Sequence, residues 1–409
     1  MKNVYITGRG LVTPLGVGLA ANEAALRSGK SGVVRFDELA EMELGCAVGG
    51  VVDENPPTEL IDRRTARFCP PTAVMSVVAV EEALKEAGIT AEDRQKHRIA
   101  VISGVAGSNY RELYTKTDFF MQTQPRRIRN VSPVIVPRIM PSSAVSVLSL
   151  VFGFRGESYD LSAACASSAV STMLATRLIR SGAYDIVVVG GAEQLDWVQA
   201  VGFCAMRALS HSYNDTPERA SRPFDRGRDG FVLAGGAGYM VLESEKSVQE
   251  RGVRPITRIT GIASNSNALD MVVPDVASCA EVMRESVADA GLNPADIGYI
   301  NTHGTATPVG DPVEMAAIRE VFGSGPAINS TKSQTGHMVG ATGAAEVIFT
   351  SLMLERRFLS RSINLEDPEP EFGWADLLTD YREGTEVRHA LSNSFAFGGT
   401  NVSLILSHC

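Results

Sequence analysis

Short apolar, β-branched runs recur along the chain: Val4–Gly8, Ile99–Gly104, Ile186–Gly191, Gly238–Leu242, Ile256–Gly261, Ile297–Ile300 and Leu404–Leu406. They are continuous rather than alternating, the pattern of strands covered on both faces. Between them, Thr72–Ala87 carries the apolar stripe of a helix, and Cys279–Ala290 puts Cys279, Val282, Met283, Val287 and Ala290 on one helical face. Each stripe is stopped by a glycine, Gly88 and Gly291. Strands buried on both sides and alternating with helices predict an α/β protein with helix-covered sheets.

The two helix stops belong to a faint repeat. Ala83–Asp93 leads into the run Arg98–Ser103, and Val287–Asp296 leads into Gly298–Thr302. Both read as helix, glycine stop, new helical turn, then strand. The glycines lie 203 residues apart in a chain of 409, so the spacing predicts two duplicated halves, 1–250 and 251–409. A single match of this kind also arises between unrelated helix–strand units. The seam falls in the charged stretch Glu243–Pro255. No low-complexity linker marks it, so the halves are expected to pack together.

Composition narrows the functional classes. Apolar residues make up 44% and charged residues 21%, which excludes a disordered chain. A net charge of −9 argues against a nucleic-acid binder. No apolar run approaches the ~18 residues of a membrane span. Met1–Gly8 enters a strand-like run without a signal-peptide core, so secretion is not expected. Cys46, Cys69, Cys165, Cys204, Cys279 and Cys409 are scattered, with no C-x-x-C pair. That usage predicts a reducing, cytoplasmic setting without zinc, other metals or a disulfide framework.

Gly16-Val-Gly-Leu-Ala-Ala has the spelling of a dinucleotide loop, but it follows Thr13-Pro14-Leu15 rather than a strand end. It reads as a tight turn before a helix. Four other segments carry chemistry. In Asp160-Leu-Ser-Ala-Ala-Cys165-Ala-Ser-Ser, a strand end passes into small residues and a helix begins around the cysteine. The positive end of a helix can lower a thiol pKa and make it a nucleophile; the plainer reading is a buried structural cysteine. In Ile300-Asn-Thr-His303-Gly-Thr305-Ala-Thr307, a strand delivers a histidine and two hydroxyls to its C-terminal tip. Lys332 and His337 then precede a small-residue helix bearing the lone Glu346. Finally, Ser392-Asn-Ser-Phe395-Ala-Phe397-Gly-Gly is either a plain strand–turn–strand corner or a backbone N–H cradle with an aromatic lid.

Together these segments resemble a β-ketoacyl-[acyl carrier protein] synthase, a decarboxylating condensing enzyme of the thiolase-like superfamily. The resemblance runs from Ile6-Thr-Gly-Arg-Gly-Leu-Val-Thr-Pro to Asn393-Ser-Phe-Ala-Phe-Gly-Gly-Thr-Asn401, through Arg228-Asp-Gly-Phe-Val-Leu-Ala-Gly-Gly. Both type I and type II elongation synthases are similar to it. The resemblance implies a five-layered α-β-α-β-α sandwich of two duplicated halves, usually a homodimer. It implies that Cys165 accepts the acyl chain and that His303 and His337 are the decarboxylation and condensation pair. Lys332 supports the second histidine, with Glu346 behind it. Thr305 and Thr307 match hydroxyls that hold the pantetheine arm. Phe397 matches a gating aromatic whose N–H joins that of Cys165 in an oxyanion hole. No cofactor is implied, since substrates arrive on the phosphopantetheine of acyl carrier protein.

Two positions depart from the family pattern. Ala166-Ser167 replaces the usual Ala-Thr, and Ala396 replaces a glycine between the two phenylalanines, which is expected to stiffen the gate. Gly107 aligns with a bulky pocket-floor residue, so an open acyl tunnel is expected. Arg63, Arg64 and Arg67, and Arg126, Arg127 and Arg129, with Arg207 close by, are expected to form the basic patch on which an acidic carrier protein docks. The alternative within the same chemistry is a ketosynthase of a polyene or polyketide pathway. A chain-length-factor partner would lack Cys165. A cysteine hydrolase would leave Lys332 and His337 without a role.

Overall fold

Helix Pro71–Glu86 runs out at Gly88, φ 63°, and helix Val276–Asp289 at Gly291, φ 70°, left-handed positions that glycine fills without a Cβ penalty. Each chain then restarts on a capping box, Thr90 with Asp93 and Asn293 with Asp296. The strands that follow are Ala100–Gly104 and Tyr299–Asn301. The repeat read from the sequence is therefore a repeat of local structure. These features come from a computed structural model that describes residues 3–107 and 109–409.

The strands confirm the duplication. In the first half Val4–Thr13, Gly236–Ser244, Ile186–Glu193, Ala100–Gly104 and Ser158–Leu161 lie side by side in that order. In the second half Thr257–Ser266, Thr400–His408, His389–Phe395, Tyr299–Asn301 and Ala327–Asn329 do the same. Both series run antiparallel, antiparallel, parallel, parallel. The short strand Asp376–Leu377 extends the second. The half-sheets join where Val4 pairs with Ile259 and Ile6 with Thr257.

Helices Ser167–Ser181 and Thr342–Arg356 sit back to back between the half-sheets. Every residue from Thr342 through Leu354 is buried, so this helix has no solvent face. Small residues let the pair approach, as a Cβ on Gly343 would lie 2.9 Å from the Ala169 backbone nitrogen. Helices Pro71–Glu86 and Ser143–Phe152 cover the outer face of the first half-sheet, and Val276–Asp289 and Gly310–Phe322 that of the second. One apolar core fills the central layer and one lies under each outer pair. This is the expected α-β-α-β-α sandwich.

Local expectations resolve differently. Gly16–Val17 is a small strand hairpinned to Val12–Thr13 before the helix Leu19–Ser28, the turn-before-helix reading of that glycine motif. The corner at Ser392–Asn401 is a long hairpin turning at Gly398 and Gly399. The stretch Glu243–Pro255 holds the helix Glu245–Arg251. Among the described residues no helix is long and apolar enough to cross a membrane.

Strand Ala100–Gly104 touches the start of helix Ser167–Ser181 through a residue with no side chain. A Cβ on Gly104 would lie 2.3 Å from the Ser168 nitrogen and 2.4 Å from the Ser167 carbonyl carbon. Gly104→Ala should therefore lower unfolding stability by about 1–3 kcal/mol through overpacking and displace the helix start. Gly202, in the helix Trp197–Ala205, has nothing within 4 Å of its Cβ position. Gly202→Ala should be neutral or stabilising in the same denaturant titration.

Candidate active site

Strand Ser158–Leu161 ends three residues before a single 3-10 turn, Ala164–Ala166, which feeds helix Ser167–Ser181. Ala164 takes a left-handed conformation, φ 46°, that alanine rarely adopts. Ser167 secures it: its hydroxyl donates to the Ala164 carbonyl at 2.6 Å and accepts from the Ala163 N–H at 2.9 Å. Cys165, 8% exposed, sits on this turn at the helix start. The thiol is not lowered as the sequence suggested. Burial pushes it up to about 12, outweighing the Lys332 charge and the N–H groups of Phe397 and Cys165, which favour the thiolate. At neutral pH the resting group is a thiol, and it must lose its proton as it reacts.

His303 follows strand Tyr299–Asn301 in a loop held by one carboxylate. Glu314, on helix Gly310–Phe322, accepts from the N–H groups of His303 and Gly304, both at 2.8 Å, and from the Asn393 side chain at 3.0 Å. The His337 N–H donates to the Val232 carbonyl at 2.7 Å, and its Nδ1 pairs with the Thr342 hydroxyl at 3.0 Å. The two imidazole rings stand edge to face, centroids 5.4 Å apart at 85°. Burial first, and then the Lys332 charge, hold both well below the ordinary histidine value. Both rings are neutral at neutral pH. Nδ1 of His303 and Nε2 of His337 are buried without a hydrogen-bond partner among the described residues. A Thr342 hydroxyl donating to Nδ1 leaves the proton of His337 on Nε2.

The charge of Lys332 acts on both rings. Its Nζ meets Glu346 Oε1 at 2.7 Å, each side chain 1% exposed, and the Thr331 hydroxyl donates to the same oxygen at 3.2 Å. Burial pushes Glu346 up to about 7 against the pull of that ammonium.

Cys165, His303 and His337 open onto one cavity of about 340 Å³. Thr305 and Thr307, their hydroxyls 3.1 Å apart, line it, as do Arg207, Ala396 and Phe397. Phe397 packs on Phe203 at 6.5 Å. The turn behind it is pinned from outside, where the Gly398 N–H donates to the Met271 carbonyl at 2.8 Å.

Other expected residues lie elsewhere. Arg63, Arg64, Arg67, Arg126, Arg127 and Arg129 are exposed and do not line the cavity. Arg138 holds the segment after the first group, donating to the Cys69 and Arg67 carbonyls. Gly107 does not open onto free space. The position of its missing Cβ is crowded by Gln199 Nε2 and Tyr110 Cε2, each 2.8 Å away, and Glu193 Oε1 at 3.0 Å. Those neighbours come from helices Trp197–Ala205 and Tyr110–Gln122 and from strand Ile186–Glu193.

Sequence reasoning missed the acids that set the loops. Glu314 is one. Glu193 is another: it accepts from Ala106, Gly107 and Gly340, and burial pushes it up to about 8. Asp311 accepts from Phe224 and Ala306. The available signal was Asp311 and Glu314 at i, i+3 within a helix whose neighbouring Met315 and Ile318 are core residues.

Removing the ammonium would strand a buried carboxylate. Lys332→Met should cost about 3–5 kcal/mol of unfolding stability, most of which the double variant Lys332→Met/Glu346→Leu should recover. If the double variant is as unstable as the single one, the pair is not the source of the loss.

Comparison with known proteins follows this geometry. Residues 1–247 match the family model for the β-ketoacyl synthase N-terminal domain, and residues 256–366 that for its C-terminal domain. The chain is 38% identical over 406 residues to 3-oxoacyl-[acyl-carrier-protein] synthase 1 of Haemophilus influenzae, covering 99% of this chain and 98% of that one. A crystal structure of a β-ketoacyl synthase from Burkholderia phymatum superposes with a TM-score of 0.92 at 31% identity, covering all of both chains. A type II polyketide ketosynthase in complex with its acyl carrier protein superposes with a TM-score of 0.91 at 26% identity, again over both full chains. Sequence, fold and the arrangement of the cavity agree, and the chain belongs to the β-ketoacyl synthase family.

Proposed function

We propose that the protein elongates acyl chains by decarboxylating Claisen condensation, joining malonyl-[acyl carrier protein] to an acyl group held as a thioester on Cys165. The observation that carries this reading is the convergence of one cysteine and two neutral histidines on a single cavity, with the charge of a buried lysine acting on all three. A hydrolase needs one imidazole base. Two neutral imidazoles suit an enolate.

In the first half-reaction the Cys165 sulfur attacks the acyl thioester carbonyl, and the pantetheine thiol leaves with the proton. The oxyanion formed on the way lies between the N–H groups of Cys165 and Phe397. Malonyl-pantetheine then enters past Phe397, its arm along Thr305 and Thr307. The bond to the carboxylate breaks, carbon dioxide departs, and the electron pair becomes an enolate. Imidazole N–H groups of His303 and His337 donate to the enolate oxygen; each such donor is worth roughly 2.7–4 kcal/mol of barrier. The enolate carbon attacks the acyl carbonyl on Cys165. The sulfur leaves as a thiolate and is reprotonated, and the β-ketoacyl chain departs on the carrier.

The two halves, 1–250 and 251–409, divide the work: the first supplies the sulfur, the second the histidines and lysine. Substrates come on acyl carrier protein, with no resident metal or cofactor. The free thiols fit a cytoplasmic setting. A homodimer is supported by apolar side chains left in solvent, Leu113, Tyr114 and Phe119 on one helix with Ile128, Val136 and Leu150, and by an edge strand, Ser158–Leu161, that has one neighbour among the described residues.

Cys165→Ser should abolish covalent acyl transfer, read as acyl mass on the intact protein. His303→Ala and His337→Ala should leave that labelling and remove carbon dioxide release from malonyl-[acyl carrier protein]. Equal loss of both half-reactions would sink the division of roles. The pH profile has a definite sign. Histidines held well below 6.5 stay neutral as pH falls through 6.5, so decarboxylation should hold there. Its decline belongs at lower pH.

The net charge of −9 repels an acidic carrier, so docking needs local positive charge. Arg64→Glu/Arg127→Glu should raise KM for acyl carrier protein while turnover of small acyl-pantetheine thioesters stays unchanged. The wild-type KM should climb with salt, as screening shortens to ~8 Å at physiological ionic strength. Equal loss on both substrates would make these arginines structural.

A further inference from the structure

Glu193, 1% exposed, ends strand Ile186–Glu193 and spends its carboxylate on backbone from both halves of the chain. Its Oε2 accepts from the Ala106 N–H at 3.0 Å and from the Gly340 N–H at 3.1 Å, and its Oε1 from the Gly107 N–H at 2.9 Å. Gly340 sits in the 3-10 turn Val339–Ala341, which starts helix Thr342–Arg356. The approach is close: a Cβ on Gly340 would lie 2.5 Å from the Ala106 nitrogen and 2.8 Å from Glu193 Oε2. The bond between His337 Nδ1 and the Thr342 hydroxyl spans this turn, so the place of Gly340 fixes both its ends. On the other side, Val339 shares an apolar cluster with Cys165, and Ala106 packs against that cluster. Two buried charges act on the Cys165 thiol: Lys332 favours the thiolate and Glu193 opposes it.

We propose that Glu193 is a positioning residue shared by the two half-reactions: its Oε2 holds the turn beside His337 against the loop that packs on Cys165, and its charge resists loss of the Cys165 proton. This rests on Cys165 being the acyl acceptor and His337 a donor to the enolate. The ionisable groups acting with Glu193 are Asp196, just beyond its own strand, Tyr110 on helix Tyr110–Gln122, and Cys165 itself. Burial pushes Glu193 up to about 8, so at neutral pH it carries a proton. A proton on Oε1 leaves Oε2 free to accept from both Ala106 and Gly340, and the link between the halves survives. Above pH 8 the carboxylate ionises and its negative charge sets in against the thiolate.

The test uses the full chain and three readouts: acyl mass on Cys165 from acyl-pantetheine, carbon dioxide release from malonyl-pantetheine, and alkylation of the Cys165 peptide by iodoacetamide from pH 6 to 10. Glu193→Gln keeps an acceptor oxygen and loses the charge. Its alkylation should match wild type below pH 7 and outrun it above pH 8, by roughly tenfold for each unit by which the thiol pKa falls. Glu193→Leu strands all three N–H groups. Its kcat for carbon dioxide release should fall roughly tenfold to a hundredfold with KM little changed, and Glu193→Gln should restore most of it. Gly340→Ala, which pushes the turn off Ala106 and leaves the charge in place, should lower the same kcat while keeping the wild-type pH dependence of alkylation. Coincident alkylation profiles of wild type and Glu193→Gln through pH 10 overturn the proposal. So does wild-type carbon dioxide release in folded Glu193→Leu or Gly340→Ala. No acyl label on wild-type Cys165, or full carbon dioxide release by His337→Ala, would instead overturn the reading of those two residues, and this inference with it.

Discussion

The ammonium of Lys332, 1% exposed and paired with Glu346 at 2.7 Å, is the constraint on which the reactive groups depend. It acts on all three. It opposes burial at Cys165 and reinforces burial at His303 and His337. One fixed charge therefore favours a thiolate on one side of the cavity and neutral donors on the other, which is what acyl storage and enolate stabilisation separately need. A solvent-exposed lysine would be screened and could do neither. The cost of holding the charge dry is met by Glu346 and Thr331, and by a helix that offers water no access from Thr342 through Leu354.

Strained backbone clusters around the same cavity. Ala164, Ala306 and Val339 have φ of 46°, 68° and 43°, and each lies within two residues of a reacting or lining side chain. None is glycine, so each conformation is imposed by its surroundings. The buried acids supply the force: Asp311 accepts from the Ala306 N–H, and Glu193 from Ala106, Gly107 and Gly340. These carboxylates bind backbone, which is how they fix the loops that shape the site, and Asp311 lines the cavity as well.

What the sequence made legible was what depends on local pattern. The continuous apolar runs marked strands because those strands are covered on both faces, and Gly88 and Gly291 marked the duplication because a left-handed helix end favours glycine. The motif residues Cys165, His303, Lys332, His337 and Glu346 were visible through their family contexts. The protonation of Cys165 was not, because the helix start is a local feature and burial is a tertiary one. The surroundings of Gly107 were hidden for a related reason. A missing side chain implies space only when nothing else enters, and Gln199, more than ninety residues away in the chain, fills it. Glu314 and Glu193 carry no motif, since a carboxylate that binds backbone N–H groups leaves no pairing signature in the residues it binds.

The duplication also explains how one chain built two different halves of a reaction. Each central helix begins the same way: a left-handed residue, Ala164 or Val339, a 3-10 turn, and then a hydroxyl at the first helical position, Ser167 or Thr342. In the first half the residue after the left-handed one is Cys165, and the Ser167 hydroxyl turns back to fix that turn. In the second half the same position is Gly340, whose bare backbone lets its N–H reach Glu193 at 3.1 Å, while the Thr342 hydroxyl reaches out to His337. A side chain at 340 would press on Ala106 and Glu193, so the second turn has no room for a nucleophile of its own. The helix freed from that task carries Glu346 one turn further on, facing Lys332. The two related helix starts thus differ in function through a few side chains, with the backbone path left unchanged.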